Sequence, residues 1–292
     1  LQLGGAGSSA VSDVLKLKGT ERTVFVMSGM SAVFSSVFGT PLTAAAFVLE
    51  FRLNRRTFSW ALLPCLVSSV VAKVITSLLG VTEEKFNLNF TVPFSIASAG
   101  KTLILALGIA LLGIIMCFAF EKAPHLAKKL IPNSFIRTLV FSAIVIAVTA
   151  CVGDMRYNGS GMGMAIGAVE GNAEWFDFIL KIVFTSVTLA AGLKGGEMVP
   201  TFCIGATFGC FFGGVLGLDC GLAAALGLVG LFCCVTNSFV SAIFLGIELF
   251  GFSALPYIIT VCTVLWLLST PNGLFENRFF TSPILTKLKT AG

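Results

Sequence analysis

The sequence predicts an all-α integral membrane protein, on three observations. Of its 292 residues 56% are hydrophobic and only 11% charged, against roughly 25% charged in a soluble domain. Apolar runs at 60–79, 102–120, 135–152 and 176–193 approach the ~20 residues that a spanning helix needs. Glycine is abundant, at 31 residues, and small residues let membrane helices pack closely.

The elements follow in chain order. Leu1-Gln2-Leu3-Gly4-Gly5 reads as the interior of a helix, so the chain is expected to lack its own beginning. Basic residues cluster at Arg52, Arg55 and Arg56, then at Lys122, Lys128, Lys129 and Arg137, then at Lys287 and Lys289. The positive-inside rule puts these loops in the cytoplasm. The segment 83–89, with Glu83 and Glu84, then faces outside, and two spans separate the first two clusters as that requires. The net charge of +5 is this loop bias and not a nucleic-acid surface. Lys73, inside an apolar run, reads as a snorkelling side chain. Asn89-Phe90-Thr91 fits the glycosylation pattern. Beyond Pro200 the runs 202–218, 222–235, 240–250 and 255–268 are shorter and separated by few polar or helix-breaking residues. Short, interrupted spans suggest helices that stop partway through the bilayer around a site. Phe outnumbers Tyr and Trp, 28 against 2 and 3, so the aromatic belt is thin. The nine cysteines lie mostly in apolar runs without CxxC spacing, beside a single His. They read as small apolar residues; no metal site and no cofactor is expected.

The most informative segment is Gly195-Gly196-Glu197-Met198-Val199-Pro200, followed by Thr201 and a run through Gly209. A Gly-Gly pair and a Pro interrupt one apolar stretch just as another begins. In a bilayer the N–H groups freed at such a break must meet protein, water or an ion. The helix after Pro200 presents the positive end of its dipole there, and the natural occupant is an anion. An internal echo accompanies this break. The stretch from Phe34 through Gly39-Thr40-Pro41 to Glu50 parallels the stretch from Phe232 through Asn237-Ser238 to Glu248 at a constant offset. Both run apolar helix, short polar break, apolar helix, closing Glu. Upstream, Leu3-Gly4-Gly5 resembles Ile204-Gly205-Ala206. Two related halves are the expectation.

These residues resemble the CLC family of chloride channels and proton-coupled anion transporters. The likeness rests on Gly195–Pro200 with Ile204-Gly205-Ala206, on Phe38-Gly39-Thr40-Pro41-Leu42 ending in Glu50, and on Thr236-Asn237-Ser238 leading to Glu248. The resemblance implies a homodimer with one anion pathway per subunit, each subunit built of two inverted halves of tilted and broken helices. It implies that the backbone amides of Glu197 and Met198 face the anion, flanked in the candidate anion site by Gly196 and Val199. Amide donors hold an anion without a full positive charge, so release stays easy. The family's first anion motif and its gating Glu belong upstream of Leu1 and are absent. Phe51 falls where proton-coupled relatives carry a Glu, which argues against chloride/proton exchange of the best-known type. Phe275 falls where a Tyr closes the inner site, and it can close only sterically. Glu197 is similar to the fluoride-exporting branch, which often has Thr where this chain has Val199. Glu50, Glu197 and Glu248 form the candidate proton pathway. The helices around 44–50, 62–79, 241–250 and 255–268 are the implied dimer face.

Asp177 and Lys181, four residues apart, are expected to pair across a helix turn. The polar connection 154–161 is expected outside, with Arg156 placed to draw anions toward the mouth. A Ser160–His125 hydrolase would need both residues on one side, and the topology separates them, so no enzyme is expected. The sequence therefore predicts a multi-pass protein of the cell membrane with no nucleic-acid partner. Residues 1–130 hold the remainder of a first membrane half, and 131–292 a second half with its helix break at 195–200. The expected activity is transport of a small inorganic anion, chloride first, with a fluoride/proton antiporter or a passive channel as alternatives.

Overall fold

The computed structural model describes residues 1–51, 55–81, 86, 95–193 and 195–268, with backbone alone at 51 and 55–59. Among the described residues the regular elements are all helical. In chain order they are α1 (Gln2–Val14), α2 (Gly19–Phe38), α3 (Pro41–Phe51), α4 (Arg55–Leu78), α5 (Ile96–Leu130) and α6 (Ser134–Val152). There follow α7 (Met162–Val169), α8 (Asp177–Ala190), α9 (Met198–Val215), α10 (Cys220–Thr236), α11 (Phe239–Phe250) and α12 (Leu255–Leu268), with a 3₁₀ turn at Phe252–Ala254. Trp60–Leu78, Ile96–Leu130, Ser134–Val152 and Met198–Val215 are long and apolar enough to cross a membrane. The later helices are shorter, as the interrupted runs predict.

The chain divides into two compact units. One comprises Leu1–Phe86 and Ser238–Leu255. Its apolar centre is Met27 of α2, Ala45, Val48 and Leu49 of α3, and Ala61 and Cys65 of α4. Serines bring α2 and α4 together: Ser31 Oγ donates to the Cys65 carbonyl at 3.1 Å and Ser35 Oγ to that of Ser69 at 2.7 Å. Ser68 Oγ returns a bond to the Ser28 carbonyl at 2.8 Å. Short side chains let the backbones approach, and the bonds satisfy hydroxyls that would be costly to bury alone.

The sequence echo becomes physical in this unit. The carboxylate of Glu50, in the last turn of α3, accepts the Val240 and Ser241 N–H groups, each at 2.9 Å, and the Ser241 hydroxyl. The carboxylate of Glu248, in α11, accepts the Leu42 N–H at 2.9 Å, the Thr43 N–H at 2.8 Å and the Thr43 hydroxyl at 2.6 Å. Each glutamate caps the first turn of the other helix, where free N–H groups and the dipole favour a carboxylate. The two helices are therefore antiparallel and related by a local two-fold. Leu42/Val240, Thr43/Ser241 and Glu50/Glu248 all stand at the offset of the sequence echo. So do Gly39 and Asn237, which end α2 and α10 in left-handed backbone with φ of 68° and 53°, a conformation that Gly and Asn tolerate.

The second unit comprises Asn87–Asn237 and the described part of Pro256–Glu276. α9 and α10 cross backbone to backbone. A Cβ on Gly205 would collide with the Gly227 carbonyl, one on Gly227 with the Gly205 carbonyl, and one on Gly209 with the Ala223 carbonyl. Gly4 of α1 meets Gly29 of α2 in the same manner, so the upstream echo is also a packing echo. α10 is buried along nearly its whole length, whereas α6 buries no residue and is suited to lipid.

Two sequence expectations are corrected. The helix at the break starts at Met198, two residues before Pro200. Proline fits a first helical turn because its missing N–H has no intrahelical partner there. The run at 176–193 yields only α8, 14 residues long, whose first turns bury Asp177 and Lys181.

Candidate functional site

Glu197 is the N-cap of α9, and the first intrahelical backbone bond runs from the Thr201 N–H to its carbonyl at 3.1 Å. Pro200 has no N–H to give. The N–H groups of Glu197, Met198 and Val199 are left, and among the described residues none has an acceptor. Gly195 and Gly196 are exposed, while Glu197, Met198 and Val199 are half-buried and Pro200 is buried. Three unpaired donors thus sit at a dipole-positive helix end, partly withdrawn from solvent. The Glu197 side chain makes no capping bond. Among the described residues its carboxylate meets neither a hydrogen-bond donor nor a cation.

A cavity of about 570 Å³ opens at this helix end. Gly195, Gly196, Val199 and Pro200 form one side, residues 157–160 another, and α6 and α8 supply apolar and threonine surface. Of the predicted anion-site residues, Gly196 and Val199 line it. Val199 presents methyl groups and no hydroxyl. Within the connection 154–161, expected outside, residues 157–160 form a wall of the cavity.

That connection is tied down by a polar network. Asp177, 2% exposed, accepts from Tyr157 Oη at 2.6 Å, from Arg156 at 3.0 Å and from the Glu174 N–H at 2.9 Å. Arg156 also pairs with Asp154 at 2.9 Å and reaches Glu174 at 3.6 Å. Burial first, then the Asp177 hydrogen bond, hold the Tyr157 phenol above the ordinary tyrosine range. Two expectations change here. Arg156 is surrounded by three carboxylates and its charge is spent on them, so it is not a free lure for anions. Lys181 does not pair with Asp177. Its ammonium donates to the carbonyls of Tyr157 and Gly159, both at 2.9 Å, because the Asp177 oxygens are already engaged.

Glu50 and Glu248 lie in the other unit as reciprocal helix caps, and Glu197 lies alone at the α9 break. The predicted Phe275 closure, the Asn89 sequon and the side chains of Phe51, Arg52, Arg55 and Arg56 lie outside the described residues. Sequence reasoning missed the place of Lys181. The available signal was a lysine deep in an apolar run, four residues after an aspartate whose partners come from a distant loop.

The fold and this helix break define a class: an all-helical, multi-pass membrane protein with inverted helix pairs and a broken-helix site. The family model for voltage gated chloride channels matches residues 1–269, and the chain belongs to that family. A chloride/fluoride channel protein of Pseudomonas syringae pv. tomato is 31% identical over 282 residues, covering 94% of this chain and 62% of that protein. An uncharacterized protein of Methanocaldococcus jannaschii is 27% identical over 246 residues, covering 82% and 60%. The chain spans about three fifths of the length of these relatives. Among solved structures, a CLC-type fluoride/proton antiporter matches with a TM-score of 0.88 at 28% identity, covering 95% of this chain and 70% of that one. A slow cyanobacterial Cl⁻/H⁺ antiporter matches with a TM-score of 0.77 at 16% identity, covering 99% and 70%, a likeness of fold alone.

Proposed function

We propose that this protein moves a small inorganic anion across the cell membrane through the cavity at the α9 N-terminus, by fluoride/proton exchange. One observation carries the reading: the half-buried Glu197 carboxylate has no partner among the described residues and stands beside three unpaired amide donors. An anion and a carboxylate at one helix end repel, so a bound anion favours the protonated carboxyl, and linkage makes the effect mutual. Fluoride, a strong hydrogen-bond acceptor, suits amide donors. The Gly-Gly-Glu-x-x-Pro pattern and the likeness to a fluoride/proton antiporter support it. Glu50 and Glu248 serve as caps in this reading, and Glu197 carries the proton. The active form is a homodimer with one pathway per subunit, and the exposed apolar face of α4, with Leu63 and Leu78, suits a subunit interface.

A second reading, chloride transport without proton coupling, is favoured by Val199. Its apolar wall suits the larger, less strongly hydrated ion. The test is efflux from liposomes holding the purified protein, with fluoride and chloride electrodes and a record of external pH. Fluoride efflux with proton uptake from the bath, uncoupled by Glu197→Gln, supports exchange. Chloride efflux without proton movement overturns it in favour of the second reading.

A further inference from the structure

Lys181 is among the most completely buried side chains of the described residues, 1% exposed, and has no part in the proposed proton transfer at Glu197. Among the described residues no carboxylate lies within ion-pair range of its ammonium; its acceptors are the carbonyls of Tyr157 and Gly159. The loop is shaped around it. Gly161 takes a left-handed φ of 79°, and a Cβ there would press on Lys181 Cε at 2.7 Å and Nζ at 2.8 Å. Tyr157 and Gly159 also line the cavity at the α9 N-terminus, and among the described residues no charged side chain lines it. Asp154 and Asp177 line other clefts.

We infer that Lys181 is a fixed positive charge behind the wall of this cavity, a positioning residue that acts on the anion through its field and through the Gly159–Ser160 peptide. The inference rests on reading the cavity as the anion path. In a trans peptide C=O and N–H point opposite ways. With the Gly159 carbonyl held on the ammonium, the Ser160 N–H is turned away from it, on the exposed side of the loop. Among the described residues that N–H has no acceptor, whereas the Asn158 N–H is spent on the Met155 carbonyl at 3.0 Å. A charge set behind a poorly polarisable wall acts at longer range than one in water, and it raises the local anion concentration. Arg156 is matched by carboxylates, whereas Arg137, against Gly192 beside the lining residues Ala191 and Leu193, can add to that field.

The experiment measures anion flux from liposomes against fluoride and chloride concentration, at low and high ionic strength set with impermeant gluconate. The variants are Lys181→Met and Lys181→Arg. Lys181→Met is expected to raise the half-saturating anion concentration roughly tenfold at unchanged maximal rate, the effect of a unit charge on the order of 10 Å away at an effective dielectric near 20. Its dependence on ionic strength should flatten. Lys181→Arg keeps the charge and stays near the wild type in both respects. A folded Lys181→Met with wild-type half-saturation and ionic-strength slope overturns the inference and leaves the lysine as a prop for the loop. If Lys181→Met does not fold, Lys181→Gln, which keeps N–H donors for the two carbonyls without the charge, is measured in the same way: wild-type half-saturation overturns the inference, and a rise of the same order supports it. A wild type that moves neither anion overturns the cavity reading itself and the inference with it.

Discussion

Glu50→Ala is the sharpest test of the reciprocal caps. Glu50 is 7% exposed and its carboxylate accepts three hydrogen bonds from the first turn of α11. Truncation strands the N–H and hydroxyl of Ser241, which is fully buried, and the N–H of Val240, which is 43% exposed. Losing a cap costs about 0.5–2 kcal/mol, and each hydrogen bond to a charged group is worth about 1.5–3 kcal/mol. Relief of the carboxylate's own desolvation offsets part of this. A net loss of about 2–4 kcal/mol follows, which for a chain of this size lowers Tm by roughly 5–10 °C. Glu248 is half-buried, so Glu248→Ala should cost about 1–2 kcal/mol. α3 is 11 residues long, about 16 Å, so the two caps are far enough apart for their effects to add. The assay is thermal unfolding in detergent, read by a thiol-reactive dye that reaches Cys65, fully buried in the same unit, only on opening. A Glu50→Ala protein within about 0.5 kcal/mol of wild type refutes the capping argument. Loss of proton coupling at unchanged Tm would put Glu50 on the proton route instead.

Gly205→Ala drives a methyl into the Gly227 carbonyl and should cost about 1–3 kcal/mol by overpacking. Gly163→Ala in α7 meets open space and should be neutral or stabilising by about 0.5–1 kcal/mol, both read by the same thermal assay. Val199→Thr adds a hydroxyl to the cavity wall and should raise the fluoride-to-chloride flux ratio severalfold; an unchanged ratio would remove Val199 from the selectivity argument. The raised Tyr157 pKa means that its contribution to stability is complete below the unfolded value near 10 and is lost as pH rises above it. The Tm of the wild type should therefore fall more steeply between about pH 9 and 11 than that of Tyr157→Phe, and equal slopes would count against the Tyr157–Asp177 bond.

What the sequence determined by itself was the solvent and the architecture. A charged fraction of 11% and runs near spanning length leave a bilayer as the medium. The constant offset from Phe34/Phe232 to Glu50/Glu248 announced two related halves, and the Gly-Gly-Glu-x-x-Pro break marked a helix end. Tertiary structure alone decided how those pieces meet. Glu50 and Glu248 each carry a local signal for a functional or a capping carboxylate, and only the folded chain shows each seated on the other's helix. Lys181 and Asp177 have the spacing of an ion pair, yet Arg156 and Tyr157 arrive from a distant loop and claim the aspartate, which sends the lysine to the carbonyls of that loop. Pattern along a chain reports periodicity and local preference. Which donor reaches a buried acceptor first depends on contacts far apart in sequence, and those exist only once the helices have packed.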